Sequence, residues 1–193
     1  MKTSWIVGGV LVALLLWFVG SYNRLVGKFE RVEGAWGQVQ NVYQRREDLI
    51  PNLVATVQGA AKFEKETLQA VVDARSRVGS FTVDKSVLNN PEMFKKYEAA
   101  QGSLGQALSR LMVVIEKYPD LKATANFKSL QDQLEGTENR ITVERRSFNE
   151  TVIDYNTSVR QLPGALVARL GGFTPKPYFE ASTTAQKAPV VKF

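Results

Sequence analysis

The chain has 193 residues and a formal charge of +6, from 25 Lys and Arg against 19 Asp and Glu, with 44% hydrophobic residues. It contains no cysteine and no histidine, which excludes disulfides, thiolate nucleophiles, Ser-His-Asp triads, His-based zinc sites and the Glu-x-x-His ligands of di-iron bundles. The hydrophobic content is that of a folded protein, and the basic residues are interleaved with acidic ones, which argues against nucleic acid as a partner.

From Trp5 to Tyr22 no side chain is charged. As a helix this stretch covers roughly 27 Å, close to the ~30 Å of a bilayer's hydrocarbon core. Trp5, Trp17 and Tyr22 lie near its ends, where amphipathic rings favour the membrane interface. Residues 1–22 are therefore predicted to be a retained transmembrane anchor, with membrane lipid as a partner. Lys2 and the small residues Val19-Gly20-Ser21 also fit a cleaved signal peptide, but the apolar stretch exceeds a usual signal core. Lys2 and the terminal amine oppose Arg24, Lys28 and Arg31, a margin too narrow to assign the side of the membrane.

About 170 residues follow the anchor, enough for one domain. Apolar positions recur as Leu25, Phe29, Val32, Trp36, Val39, Tyr43, then Ile50, Leu53, Val57 and Ala60, skipping Arg46, and the spacing runs on through Glu64 and Thr67 to Val71 and Ala74. This is a heptad seam. Pro51 falls inside it, so a kink or break is expected near that residue. The unbroken phase favours one kinked helix over 23–79, and a turn back at Pro51 is the alternative. A second helix is predicted over 85–117, beginning at Asp84 or Asn90-Pro91 and stopping at Tyr118-Pro119. A third is predicted over 122–162, and a short one over 164–170. The tail, 171–193, holds Pro175, Pro177 and Pro189 and should be extended or disordered, with Phe173, Tyr178 and Phe179 as docking candidates. The expected fold is all-α: an N-terminal transmembrane helix continuous with an elongated antiparallel helical bundle over 23–170.

The most distinctive chemistry lies in Arg45, Arg46, Asp48 and Pro51, and in a second group, Glu138, Asn139, Arg140, Glu144 and Arg145. Arg46 occupies a core heptad position, where a guanidinium requires a carboxylate or several carbonyls. Glu64, Glu138 and Glu144 are its candidate partners. These residues read either as a buried salt-bridge network that fixes helix register or as a polar pocket for an anion or a partner's acidic tail. Their carboxylates carry no metal-ligand spacing, and no catalytic residue, metal or cofactor is expected.

The residues Tyr22-Asn23-Arg24-Leu25-Val26, Ala35-Trp36, Arg45-Arg46-Glu47-Asp48-Leu49-Ile50-Pro51-Asn52-Leu53-Val54 and Ala74-Arg75 form a specific pattern. It continues through Glu116-Lys117-Tyr118-Pro119-Asp120-Leu121-Lys122-Ala123, Phe127, Leu130, Thr137-Glu138-Asn139-Arg140, Phe148-Asn149 and Tyr155-Asn156. In these motifs the chain resembles the LemA family. The resemblance implies a bacterial single-pass protein of the inner (cytoplasmic) membrane, whose soluble part is a long four-helix bundle without established catalytic residues. One departure is clear: the family's Tyr-x-x-His-Glu stands here as Ala61-Lys62-Phe63-Glu64.

If the first helix runs straight past Pro51, the second reaches only its distal part. Leu25, Phe29, Val32, Trp36, Val39 and Tyr43 would then form an unpartnered seam, the expected interface of a homo-oligomer. Gly9-x-x-x-Ala13 in the anchor is a small-xxx-small pattern that helps helices associate in lipid. The function expected is that of a non-catalytic, membrane-anchored helical scaffold or interaction protein, presenting bundle and tail to other membrane-associated proteins. The alternatives are a membrane-associated enzyme built on carboxylates, Lys or Ser, or a module that binds anions or acidic peptides.

Overall fold

The apolar N-terminal stretch and the heptad seam belong to a single helix. In the computed structural model, which describes residues 2–59, 63–81 and 85–180, α1 runs unbroken from Lys2 to Gln58 with Pro51 inside it. The chain then reverses, and α2 (Lys65–Gly79) returns alongside α1, bringing Arg75 Nε to 3.3 Å from the Glu47 carbonyl. A 3-10 turn (Lys85–Asn89) leads to α3 (Pro91–Ile115). The short α4 (Pro119–Lys122) then turns the chain into α5 (Ala125–Arg160), and α6 (Gly164–Gly171) closes the helical part. Among the described residues there is no strand.

The order α1 up, α2 down, α3 up, α5 down makes an antiparallel four-helix bundle. Its direction is fixed by cross-helix pairs. At the anchor end Lys28 Nζ meets Asp154 Oδ1 and Ser158 Oγ, each at 2.7 Å, and at the far end Phe63 packs on Tyr118 at 4.9 Å between ring centroids. Local sequence sets the boundaries. Asn90 Oδ1 accepts from the amides of Glu92 and Met93, each at 3.1 Å, with Pro91 as the first helical residue. Thr124 Oγ1 caps α5 by accepting from the Phe127 amide. Gly164 lies against the end of α5 so closely that a Cβ there would stand 2.3 Å from the Ser158 carbonyl oxygen. Gly172, at φ 71°, ends α6 in the left-handed conformation, and the Phe173 amide bonds back to the Ala168 carbonyl at 2.9 Å.

Two expectations are corrected. The helix drawn over 23–79 is two helices, because the reversal falls between Gly59 and Lys65 and not at Pro51. The seam of residues 25–43 has partners within the chain: Leu25, Val32, Trp36, Val39 and Tyr43 are buried and Phe29 is partly buried against the same core. With α5 packed along α1 for most of its length, this seam offers no apolar face to a second copy.

The tail is also ordered further than its composition suggests. After Gly172 the chain is extended and runs back along α5 as a strap. Asn156 exchanges a pair of hydrogen bonds, each 2.8 Å, with the backbone of Lys176. Asn149, two helical turns away, does the same with Phe179 at 2.9 Å. Phe179 thereby enters an aromatic cluster with Trp36, Phe94 and Phe148, its ring centroid 4.9 Å from that of Phe94. Phe173 is partly buried, whereas Tyr178 is exposed. Ala60, Ala61, Lys62, Asp84 and the tail beyond Glu180 lie outside the described residues.

Candidate functional site: the Arg46 polar core

Arg46 is only 3% exposed, although its heptad position is otherwise filled by apolar side chains. Its two terminal nitrogens find acceptors on two neighbouring helices. Nη1 donates to Glu138 Oε1 on α5 at 2.8 Å, and Nη2 donates to the Gln101 backbone carbonyl on α3 at 3.2 Å and to Gln101 Oε1. Gln101 passes the network on, donating from Nε2 to Tyr97 Oη at 2.9 Å and to Glu47 Oε1 at 3.2 Å. The guanidinium carbon also sits 5.2 Å from the Tyr43 ring centroid, within cation–π range. Arg46 Nε, Tyr43 Oη and Trp36 Nε1 are buried without a hydrogen-bond partner.

Pro51 has a second consequence at this level. Lacking an amide hydrogen, it cannot bond the carbonyl four residues back, that of Glu47. Arg75 supplies the missing donor from α2, so helix α1 passes through proline with that carbonyl still bonded. Arg46, Glu47, Pro51 and Arg75 thus join α1, α2, α3 and α5 at one level of the bundle.

Titration follows from these surroundings. Burial pushes the Glu47 carboxyl above the usual glutamate value, partly opposed by the Gln101 hydrogen bond and by Arg46 and Arg75. Glu98 is likewise raised by burial, against the pull of Arg145, whose Nη2 donates to it at 2.7 Å. Burial raises the hydroxyls of Tyr43 and Tyr97 and takes that of Tyr155 to about 12. Burial also lowers the Lys176 ammonium, which donates to Asn89 Oδ1 at 2.5 Å and lies 4.9 Å from the Phe29 ring centroid.

The structure sorts the other sequence-selected residues. Glu64 is far from Arg46 and pairs with Lys117 at 3.6 Å near the distal end. Asp48 is exposed and accepts from Gln44 at 2.8 Å. Arg45, Asn139 and Arg140 are exposed, and Glu144 is partly buried. Arg145 is partly buried, with its guanidinium 4.3 Å from the Phe179 ring centroid. Gln101, Tyr97 and Lys176 were not selected from sequence, and Glu47 entered only as a member of the motif around Arg46. Gln101 alone left a trace, a polar residue in the apolar repeat Tyr97, Leu104, Leu108 of α3.

One open cavity borders this core and another lies at the far end of the bundle. The first, about 460 Å3, is lined by Gln40, Gln44, Glu47, Phe81 and Tyr97. The other, about 610 Å3, lies among Thr56, Lys117, Tyr118, Asp120 and Asn126. Chemically, the polar core is turned inward: apart from Arg46 Nε and Tyr43 Oη its donors and acceptors are used on one another, and the half-exposed Glu138 carboxylate is its outlet to solvent.

Comparison with known proteins finds related sequences. Residues 35–193 match the LemA family. The chain is 26% identical to the magnetosome protein MamQ of Magnetospirillum gryphiswaldense, over 88% of this chain and 68% of that one. Magnetosome protein MamQ 2 of Paramagnetospirillum magneticum is similar to the same degree, at 26% identity over the same shares. It is 24% identical to Protein LemA of Metamycoplasma hominis, over 74% of this chain and 61% of that one.

Proposed function

This chain belongs to the LemA family, and from that membership and its geometry we propose that it is a non-catalytic scaffold, held in the bacterial inner membrane by one N-terminal span. The observation that carries the reading is the form of α1. Its apolar window is wholly unburied, unlike a core helix, and the same helix continues as the first member of the bundle. The 37 residues from Tyr22 to Gln58 would hold the distal end roughly 54 Å from the bilayer surface. Retention of the span is favoured by its contacts, since Phe18 packs on the bundle core and Tyr22 packs edge-on against Phe173 at 5.4 Å.

In the Arg46 core, residues of the chain's motifs bond one another and tie four helices together at one level. That favours a rigid support over an anion pocket or a carboxylate enzyme. The distal cavity, flanked by the exposed Asp120 and Asn126, is the face this support would present to other membrane-associated proteins. Because the seam of residues 25–43 is buried inside the chain, self-association in this reading falls to the anchor, through Gly9 and Ala13.

Photo-crosslinking residues placed at Asp120 and Asn126 of the membrane-bound chain test the proposal in cells. Discrete adducts from these positions, and none from Arg140 on the bundle's flank, are expected. Adduct patterns that do not depend on position, or a chain released from membranes by alkaline carbonate, would overturn it.

A further inference from the structure

The bundle's base carries an apolar face that neither the core nor the anchor uses. Leu162, Leu166 and Leu170 are 75%, 59% and 77% exposed, while Val167 and Ala168 on the opposite side of α6 are buried. Leu166 and Leu170 are four residues apart and so share one helical face, and Leu162 lies just before α6, in the turn that joins it to α5. Exposed leucines in such a row are uncommon on a water-facing surface unless something covers them.

Position says what covers them. α6 packs against α1, and Gly171 lies so near the end of the apolar span that a Cβ there would be 3.0 Å from the Tyr22 ring. Phe18, a full turn inside the span, is already partly buried against the bundle core. The base of the bundle therefore reaches down to the level of the span. Charge agrees: between Asp154 and Glu180 the sequence has no acidic residue but carries Arg160, Arg169 and Lys176. Arg160, Arg169 and the neighbouring Arg24 are exposed. Leucines flanked by arginines at this height match a short helix lying in the headgroup region, with its apolar face ~5–10 Å into the acyl boundary and its cations near lipid phosphates.

We propose that α6 and Leu162 form a second membrane contact, a foot that rests in the interface beside the span and fixes the tilt of the bundle on the bilayer. The occupant of this face is lipid. The inference rests on the transmembrane reading of residues 5–22 and deepens it: a helix alone leaves the bundle free to swing, whereas a foot beside it defines one standing orientation.

The chain has no cysteine, so single-site labelling is direct. Leu166→Cys, Leu170→Cys, Leu11→Cys and Arg140→Cys, each labelled with bimane in the full chain, are reconstituted into phosphatidylcholine–phosphatidylglycerol vesicles. Nitroxides placed shallow or deep on the lipid chains, and aqueous iodide, serve as quenchers. Labels at 166 and 170 are expected to emit at shorter wavelength than the label at 140 and to be quenched by the shallow nitroxide but not by iodide. Quenching by iodide alone would place this face in water and overturn the foot. Protection from both quenchers would place it against protein, a second copy included, and would equally overturn it. The label at 11 separates the two readings. Deep quenching there with none at 166 and 170 removes the foot and leaves the anchor, and its absence there removes both.

Discussion

Arg46 brings a full charge into a helical core, and its neighbours decide whether that is stabilising. The guanidinium is 3% exposed, whereas its partner Glu138 is 45% exposed. The two halves of the pair are therefore unequal when separated. Removing the carboxylate leaves a buried cation, a loss that reaches ~3–5 kcal/mol in fully buried pairs and less here because water can approach through the Glu138 side. Removing the guanidinium with Arg46→Met fills similar volume, frees Glu138 to turn to solvent, and leaves mainly the Gln101 amide without its donor, a cost of ~1–3 kcal/mol. Glu138→Ala is thus expected to destabilise more than Arg46→Met. The double variant should be close to Arg46→Met alone, because no buried charge then remains. Urea denaturation of the four proteins measures this, and equal, additive losses would contradict the hub geometry. The burial of Arg46 was legible from its heptad position. Glu138 was among its candidate carboxylates and accepts from it; Gln101 was not, because charge pairing points to carboxylates and the structure uses a glutamine carbonyl and side chain as well.

At the scale of elements, apolar spacing reports which side of a helix is inside but not which way the chain runs. Leu68, Val71, Ala74 and Val78 are the buried face of α2, and their spacing happens to extend the phase of α1. One helix over 23–79 and two helices with a reversal after Gly59 therefore give the same pattern. The caps at Asn90-Pro91 and the stop at Tyr118-Pro119 were readable because their chemistry is local. The strap was not, since its order comes from Asn149 and Asn156 on a distant helix. Pro51 illustrates the same point in reverse: its tolerance inside α1 depends on Arg75 from α2. Arg75→Ala should cost ~0.5–1.5 kcal/mol, the net worth of a hydrogen bond. In a Pro51→Ala background the helix amide returns to the Glu47 carbonyl, and the same Arg75→Ala change should cost little. Chemical denaturation of this double-mutant cycle checks the coupling, and an undiminished loss in the Pro51→Ala background would show that Arg75 acts elsewhere.

For the whole molecule, the question is whether the bundle is complete in one chain. Trp36, Val39 and Tyr43 are at most 2% exposed, and they are covered by α3, α5 and the strap through Phe94, Tyr97, Phe148 and Phe179. A coiled-coil oligomer through this face would have to expel those partners and expose their rings, losing about as much apolar burial as it gained. The bundle therefore gains nothing by pairing along α1. A chain beginning at Phe18, which keeps the Phe18 and Tyr22–Phe173 contacts but none of the apolar segment before them, is expected to run as a monomer in sedimentation. Its thermal midpoint should lie within a few degrees of the full chain's in detergent, because residues 5–17 are exposed and contribute no core. A dimer or larger species from this shortened chain would mean that the helices exchange partners between copies, and that the seam closes between molecules as well as within one.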